Sequence, residues 1–337
     1  MNAFIESIRV ALPDTVLDND QLAREFPSWS AQKIYASTGI RERRVSAADE
    51  CASDLAVKAA SRLLDEEGRD PRDIDFVLNC TQTPDYVLPT TACLLQDRLG
   101  LPRTCGALDY NLGCSGYVYG LGLAKALIAS GQAREVLLVT ADTYSKLMHP
   151  LDKSVRTLFG DAATATLIRA DTRETLIGPF VYGTDGSGAD HLIVPCGGMR
   201  RRPVPDAELV HDASGNARTD NDIWLNGPEI FNFTLRVIPE TVAALLRRAN
   251  LCASDIDLFV FHQANRFILE HLRKKLGVPP EKFVFALEHV GNTVSSSIPI
   301  ALQEAKDAGR LETGSLIMLV GFGVGYSWAA TVVRWCR

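Results

Sequence analysis

An internal repeat constrains the fold of this chain more than any other feature. The stretches DPRDIDFVLNCTQTPD, from residue 70, and CASDIDLFVFHQANRF, from residue 252, share a polar turn, an Asp-Ile-Asp triplet and a strand-like apolar run. An amphipathic helix pattern precedes each copy. The repeat therefore predicts two similar α/β halves packed together.

A second repeated unit follows each copy. NLGCSGYVYGLGLAKALIASGQAREVLLVTA and HVGNTVSSSIPIALQEAKDAGRLETGSLIMLVG both run from a polar corner through a helix pattern and a glycine into a β-rich stretch. This alternation predicts mostly parallel sheets that are buried on both faces. We expect an α/β, five-layered α-β-α-β-α sandwich with halves at residues 1–175 and 176–337. The polar, turn-rich segment 199–226 breaks the repeat and predicts an inserted loop over the functional site.

Composition excludes several functional classes. The 337 residues are 46% hydrophobic, so the chain can bury a large core, and the net charge of −6 argues against generic nucleic-acid binding. The sequence has no apolar run long enough to span a membrane and no signal-peptide pattern at its start, which predicts a soluble cytoplasmic protein. Its eight cysteines form no CxxC pair and suit a reducing compartment.

Cys114 stands on a glycine-flanked corner just before a helix pattern of small residues. Unpaired N–H groups and the macrodipole at a helix N-terminus favour the thiolate, which is the nucleophilic form of cysteine. Gly113 and Gly116 permit a sharp corner and close approach of a substrate. Cys114 is therefore a candidate nucleophile. The alternative is a buried structural cysteine at a tight strand–helix junction.

Two polar residues of the second half are candidates to act with Cys114. His262 ends the apolar run FVF, and Asn292 opens the helix pattern equivalent to the one after Cys114. Ligands bind outside the carboxyl ends of strands in open α/β sheets, so the repeat predicts that the three side chains converge on one cleft. The alternatives are a core histidine and a simple helix N-cap. The other histidines show no metal-ligand spacing, and we expect no metal.

The glycine-rich segment GFGVGYSWAATVV is followed by no helix pattern, which makes it weak evidence for a dinucleotide-binding loop. A tight turn there would instead present the backbone N–H of Val324 near Cys114. Such an N–H is a suitable oxyanion-hole donor.

Together these motifs resemble the β-ketoacyl-acyl-carrier-protein synthase III family of the thiolase superfamily. The resemblance spans nearly the whole chain. It runs in order through TGIRERR (38–44), LPTTACLLQDRLG (88–100), the Cys114 corner, LFGDAATATLI (158–168), HQAN (262–265), GNTVSSSIP (291–299) and GFGVGYSWA (321–329). It implies a thiolase-like duplicated sandwich that works as a homodimer.

The resemblance also implies a two-step reaction on acyl thioesters. The acyl group passes to Cys114, and malonyl on acyl carrier protein then loses CO2 and condenses with it to a 3-oxoacyl thioester. His262 and Asn292 match the family residues that hold the thioester carbonyl and stabilise the enolate. The backbone N–H groups of Cys114 and Val324 match the oxyanion hole. No cofactor is bound permanently, because coenzyme A or phosphopantetheine delivers the acyl groups.

The sequence departs from the family pattern where acyl-coenzyme A members stack the adenine between Trp and Arg. Lys33 and Ser37 occupy those positions, and Lys153 replaces a further arginine. Lysine cannot reproduce planar stacking, so a primer carried by a protein becomes an alternative to acyl-coenzyme A. Leu88 replaces the family's gatekeeper Phe and predicts a different acyl pocket. The predicted substrate- or carrier-binding residues are Lys33, Ser37, Lys153, Gly227, Asn265 and Arg266.

Two other functions stay open at this point. An acyltransferase of the same fold would pass the acyl group to an alcohol or amine without decarboxylation, and a silent subunit would only shape a heterodimer. The pathway, whether fatty-acid initiation or a specialised lipid or secondary metabolite, also stays open. The presence of both His262 and Asn292 favours condensation, because simple acyl transfer forms no enolate.

Overall fold

The computed structural model describes residues 1–172 and 176–336. The strands of its first half are β1 (Asn2–Ala11), β2 (Thr15–Asp18), β3 (Glu42–Val45), β4 (Phe76–Cys80), β5 (Gly106–Tyr110), β6 (Glu135–Asp142) and β7 (Ala162–Asp171). Those of the second half are β8 (Ile177–Thr184), β9 (Leu192–Ile193), β10 (Val210–His211), β11 (Ala217–Arg218), β12 (Trp224–Leu225), β13 (Leu258–Phe261), β14 (Leu316–Gly323) and β15 (Ser327–Arg334).

Helices connect and cover these strands. They are α1 (Asn19–Glu25), α2 (Ala31–Thr38), α3 (Ala52–Glu66), α4 (Thr91–Arg98), α5 (Gly116–Ala129), α6 (Lys153–Arg156), α7 (Gly227–Ala249), α8 (Arg266–Lys275) and α9 (Ser297–Asp307). In the described part of the chain, no helix is long and apolar enough to cross a membrane.

The two main sheets repeat one topology. The first has the strand order β5-β4-β6-β7-β1, and the second has the order β13-β14-β15-β8. The equivalent ladders β4–β6 and β13–β14 are both parallel, and the two ladders that follow each of them are antiparallel. A single parallel bridge between Phe259 and Phe283 stands where β5 pairs with β4 in the first half. The topology therefore supports the duplication that the sequence predicts.

The prediction of mostly parallel sheets is wrong, because antiparallel ladders outnumber parallel ones across the two sheets. β15 follows β14 after a three-residue turn at residues 324–326, and so short a connection forces an antiparallel return. Helices cover both faces of each sheet whatever the strand direction. The continuous apolar runs in the sequence therefore indicate that the strands are buried, and they do not indicate parallel pairing.

Five layers are present, as the sequence predicts. Helix α3 packs on the outer face of the first sheet, α5 and α9 lie between the sheets, and α7 covers the outer face of the second. Separate apolar cores fill the spaces on both sides of each sheet. The α5 helix approaches both sheets closely because its glycines lack a Cβ. A Cβ on Gly120 would lie 2.6 Å from Leu138 Cδ1.

Segment 199–226 contributes a small hairpin of β10 and β11 and the strand β12. It lies against residues 147–153, where Ile223 N–H donates to the Leu147 carbonyl at 2.8 Å and Arg218 bonds Asp152 at 2.7 Å. The predicted boundary between halves, at residues 175 and 176, touches residues 173–175. These three lie outside the described residues, so the boundary stays a prediction.

Candidate active site

Cys114 lies on the corner between β5 and α5, directly before the N-cap residue Ser115. Its side chain is buried and faces the end of β14. A Cβ on Gly323 would lie only 2.8 Å from Cys114 Sγ, closer than real Cβ contacts come. Gly323 therefore allows the end of a strand from the second half to meet the thiol.

His262 follows the last residue of β13, and its backbone N–H donates to the Val320 carbonyl at 2.8 Å. The imidazole is 2% exposed, its Nδ1 lies 2.7 Å from Ser297 Oγ, and Phe322 meets its ring edge-on. Burial lowers the pKa of His262 to about 3, outweighing the nearby Val294 carbonyl, which raises it. The imidazole is therefore neutral at physiological pH.

Asn292 precedes α9 by five residues, and a 3₁₀ turn at Val294–Ser296 lies between them. The interpretation as a simple N-cap of α9 is wrong, because Ser296 occupies that position. Asn292 Oδ1 instead accepts the Val294 N–H at 2.9 Å. This bond assigns the amide, because it leaves Nδ2 as the end that is free to donate elsewhere.

Val294 adopts a positive φ of 53°, a conformation that is uncommon for any residue with a Cβ and an outlier for a β-branched one. It is fully buried. The conformation directs its N–H at Asn292 Oδ1. Backbone strain of this kind is held in place by the surrounding structure and occurs at functional sites.

One cavity of about 90 Å³ joins these residues. Cys114, His262 and Asn292 all line it, as the sequence predicts, and so do Gly227 and Asn265. Gly227 begins α7, and Asn265 is the N-cap of α8, accepting the Ile268 N–H at 2.8 Å. The rest of the wall is largely apolar and includes Leu158, Phe159, Leu192, Leu225, Ile230 and Phe322. The cavity suits an apolar chain whose reactive end meets the thiol of Cys114, the imidazole of His262 and the carboxamide of Asn292.

The Cys114 thiol differs from the sequence-based expectation of a thiolate. Burial, with a smaller contribution from the charge of Asp142, raises its pKa to about 12 against the backbone N–H groups of Val324 and Cys114, which lower it. Desolvation thus outweighs the helix N-terminus in the free protein. The thiol is protonated at rest, and it must lose its proton as it reacts.

Val324 lies in the turn between β14 and β15, and its N–H is directed at the Cys114 sulfur. The Val324 side chain also packs on the corner itself, since a Cβ on Gly113 would lie 2.9 Å from Val324 Cγ1. The geometry is therefore compatible with backbone N–H groups of Cys114 and Val324 converging on one oxyanion.

The more peripheral candidates lie away from this cavity. Lys33 Nζ lies 5.1 Å from the centre of the Trp29 ring, Ser37 Oγ donates to the Ile34 carbonyl, and Arg266 lies over Phe285. Lys153 is 8% exposed, and its ammonium donates to the Ser214 carbonyl of the inserted segment. Leu88 is 80% exposed. None of these five is among the described residues that line the cavity, so their roles stay predictions.

Sequence reasoning missed two groups beside the site, Asp142 and Ser297, and one group away from it, Trp29. Asp142 is fully buried at the end of β6, where it accepts from the Gln82 N–H and the Ser295 hydroxyl, and burial raises its pKa to about 7. Ser297 contacts His262, and Trp29, which precedes helix α2, offers an aromatic ring to Lys33. The serine run SSS after Asn292 was the available signal for two of these contacts.

Comparisons with known proteins agree with this geometry. Family models described as 3-oxoacyl-[acyl-carrier-protein] synthase III and its C-terminal part match residues 108–186 and 246–335. A beta-ketoacyl-[acyl-carrier-protein] synthase III of Symbiobacterium thermophilum is 38% identical, with 99% of this chain and 98% of that protein covered.

Solved structures extend the likeness to three dimensions. A crystal structure of a 3-oxoacyl-(acyl-carrier-protein) synthase III superposes with a TM-score of 0.98 at 54% identity, covering 99% of this chain and 100% of the other. The priming β-ketosynthase of the R1128 polyketide biosynthetic pathway gives 0.86 at 27% identity, covering 100% and 97%.

The sandwich and its cysteine corner define a thiolase-like enzyme. The chain belongs to the 3-oxoacyl-[acyl-carrier-protein] synthase III family. The resemblance read from the sequence motifs is thereby confirmed.

Proposed function

We propose that this protein is a decarboxylative condensing enzyme that carries its acyl intermediate on Cys114. The observation that carries the proposal is one cavity lined by a thiol, a neutral imidazole and a carboxamide. Among residues 1–172 and 176–336, Asn292 Nδ2 has no hydrogen-bond partner, and the His262 nitrogen that contacts Ser297 Oγ is Nδ1 rather than Nε2. Two groups of this kind facing a cavity suit an oxygen that gains negative charge during reaction.

In the first step, the Cys114 sulfur attacks the carbonyl carbon of an acyl thioester. A carbon–sulfur bond forms, the original carbon–sulfur bond breaks, and the released thiol takes up the proton that Cys114 loses. The N–H groups of Cys114 and Val324 stabilise the tetrahedral oxyanion. The apolar wall around Leu192, Leu225 and Ile230 accommodates the acyl chain.

In the second step, a malonyl thioester occupies the cavity and loses CO2. The electrons of the broken carbon–carbon bond form an enolate whose oxygen accepts hydrogen bonds from His262 and Asn292. The enolate carbon then attacks the acyl carbonyl on Cys114. The new carbon–carbon bond forms as the Cys114 sulfur leaves, and the sulfur regains a proton from solvent.

We further propose that the primer arrives on coenzyme A or on the phosphopantetheine of an acyl carrier protein, and that malonyl arrives on the carrier. The Lys153 ammonium donates to the Ser214 carbonyl and is mostly withdrawn from solvent, so it is not free to bind coenzyme A. This favours the carrier-borne primer. A cytoplasmic location would keep Cys114 reduced, in line with a sequence whose eight cysteines form no CxxC pair. Because the chain is 27% identical to a priming β-ketosynthase, a specialised pathway stays an alternative to fatty-acid initiation.

Mass spectrometry of the intact protein tests the proposal. Wild type and Cys114→Ala are each mixed with a panel of acyl-coenzyme A and acyl-carrier-protein donors and then chased with malonyl-carrier protein. We expect an acyl adduct on the wild type alone, and its conversion on the chase to a 3-oxoacyl thioester. The donor that loads fastest identifies the primer.

Other outcomes would select the alternatives. An adduct that resists malonyl-carrier protein but passes to an alcohol or amine would identify an acyltransferase. No adduct from any donor would contradict the role of Cys114 and favour a silent subunit.

A homodimer is the assembly we propose. Tyr86, Val87 and Leu88 form an apolar tip that is 60%, 73% and 80% exposed, and Leu108 is exposed on the edge strand β5. Exposed apolar clusters and unpaired sheet edges mark contact surfaces, and a second copy of this chain would cover both. Leu88 would then reach the partner's acyl pocket.

Sedimentation velocity tests the dimer. Leu88→Asp is expected to shift the protein toward monomer, because a carboxylate would be desolvated at the contact. Phe267→Asp changes another exposed apolar residue, on α8, and should leave the dimer intact. A monomeric wild type, or an unaltered Leu88→Asp dimer, would contradict the assignment.

A further inference from the structure

Three consecutive buried serines follow Asn292 and end at the first residue of helix α9, and each contacts a different side chain. Ser295 donates to the Asp142 carboxylate, Ser296 Oγ lies 2.9 Å from Thr140 Oγ1, and Ser297 Oγ lies 2.7 Å from His262 Nδ1. All three are at most 1% exposed. The first two tie this turn to β6 in the other half, whereas the third alone contacts an imidazole of the site.

The hydroxyl proton of Ser297 has one available acceptor. Within the described residues, Ser297 Oγ contacts only His262 Nδ1 and the Gln263 N–H, which lies 3.3 Å away. The Gln263 N–H can only donate, so it occupies a lone pair of the hydroxyl oxygen. A buried hydroxyl normally donates its own proton as well, and Nδ1 is the acceptor in reach.

We infer that Ser297 is a positioning residue that sets the tautomer of His262: its hydroxyl donates to Nδ1, so the ring proton resides on Nε2 and faces the cavity. This inference rests on the proposed function for its catalytic consequence. A neutral imidazole is a donor at one nitrogen and an acceptor at the other, and the enolate oxygen needs the donor. The other tautomer would present a lone pair to a developing negative charge.

The state of the imidazole agrees with this assignment. His262 is buried and neutral at physiological pH, so one ring nitrogen carries no proton and needs a donor. Ser297 also belongs to the first turn of α9, whose N-cap is Ser296. A helix backbone holds the hydroxyl more firmly than a loop would, and the ring orientation is fixed along with the tautomer.

Removing the hydroxyl should slow the step that needs the Nε2 proton. Without Ser297 Oγ the two neutral tautomers become closer in energy, and the ring loses its restraint. We expect Ser297→Ala to lower malonyl decarboxylation about 10- to 100-fold, by analogy with the loss seen when the hydrogen-bond partner of a metal-ligating histidine is removed. Acylation of Cys114 should change less than about threefold, because that step uses the backbone donors instead.

Two measurements test the inference with Ser296→Ala as the matched control. Ser296 has the same side chain, the same burial and the adjacent position, but it contacts Thr140 rather than the imidazole. In ¹⁵N-histidine-labelled, substrate-free protein, NMR should show a protonated Nε2 and a bare Nδ1 for His262 in wild type and Ser296→Ala. In Ser297→Ala the two nitrogen shifts should move toward each other. The rates of acylation and decarboxylation are then measured separately for all three proteins.

The outcomes separate this inference from the proposed function. A wild-type proton on Nδ1 would overturn it, and so would equal decarboxylation rates in Ser297→Ala and wild type. An equal loss in Ser296→Ala would also overturn it, since general loosening of the turn would then explain the effect. If wild type is never acylated, the proposed function fails while the NMR result still decides the tautomer. If Ser297→Ala does not fold, the wild-type spectrum decides alone.

Discussion

Replacing Asn292 with alanine is expected to lower condensation by about 100- to 1,000-fold, the loss seen when one preorganised donor to an oxyanion is removed. The Val294 N–H holds Asn292 Oδ1, so the amide Nδ2 is the group available to the enolate oxygen in the cavity. Acylation of Cys114 should stay within about threefold of wild type, because the oxyanion of that step lies at the backbone donors. Single-turnover acylation and malonyl decarboxylation, measured separately, report the two steps.

Asn216→Ala is the matched control for this prediction. Asn216 is as buried as Asn292, at 5% exposed, but it bonds Asp212 in the inserted segment and does not line the cavity. The Asn216→Ala substitution should lower the stability of the protein, but it should not slow decarboxylation relative to acylation. If the Asn292→Ala protein condenses at the wild-type rate, or loses acylation and decarboxylation equally, then Asn292 does not stabilise the enolate.

A single methyl group at Gly323 is expected to slow the acylation of Cys114 severely. An alanine Cβ there would lie 2.8 Å from Cys114 Sγ and 2.9 Å from Cys114 Cβ, so either the nucleophile or the end of β14 must move. Displacing a reacting atom by about 1 Å costs roughly 100-fold in rate, and the same shift would disturb the Val324 N–H one residue away. We expect at least about a 100-fold slower acyl adduct, followed by mass spectrometry.

Gly186→Ala shows whether such a loss is specific. No heavy atom lies within 4 Å of the Cβ position at Gly186, so alanine fits there without displacement. Its acylation rate should equal that of wild type. Normal acylation of Gly323→Ala would mean that the corner yields at little cost and that the position of the thiol is not critical.

Much of the fold follows from local patterns in the chain. The apolar periodicities before and after Ile74 and Ile256 mark matching helices and strands, and their repeated order predicts the two sheets and five layers that the structure contains. Strand direction was predicted wrongly, because an apolar run reflects burial and carries no information about direction. The return of β15 beside β14 depends on the turn at 324–326, which periodicity does not describe.

The principal residues of the candidate site were also accessible from the sequence. Cys114, His262 and Asn292 stand at corners or strand ends, and the repeat brings such ends to one edge of the packed sheets. The roles of the more peripheral candidates, in contrast, stay predictions. Lys33, Ser37, Arg266 and Leu88 lie outside the cavity wall, and no local pattern reveals that the Lys153 ammonium is bound by Ser214.

The chemical state of the site depends on groups that are distant in sequence. A helix N-terminus alone predicts an acidic thiol at Cys114, yet enclosure by the second half and the nearby Asp142 raise its pKa to about 12. The His262 proton is assigned by Ser297, which is 35 positions further along the chain.

The sequence by itself determined the duplicated architecture, the family and the three polar residues that meet in the cavity, because periodicity and residue type act locally and repeat. Only the tertiary structure decided strand direction, the protonation of Cys114 and the orientation of Asn292 and His262. Desolvation and hydrogen-bond geometry arise from neighbours that folding alone brings together.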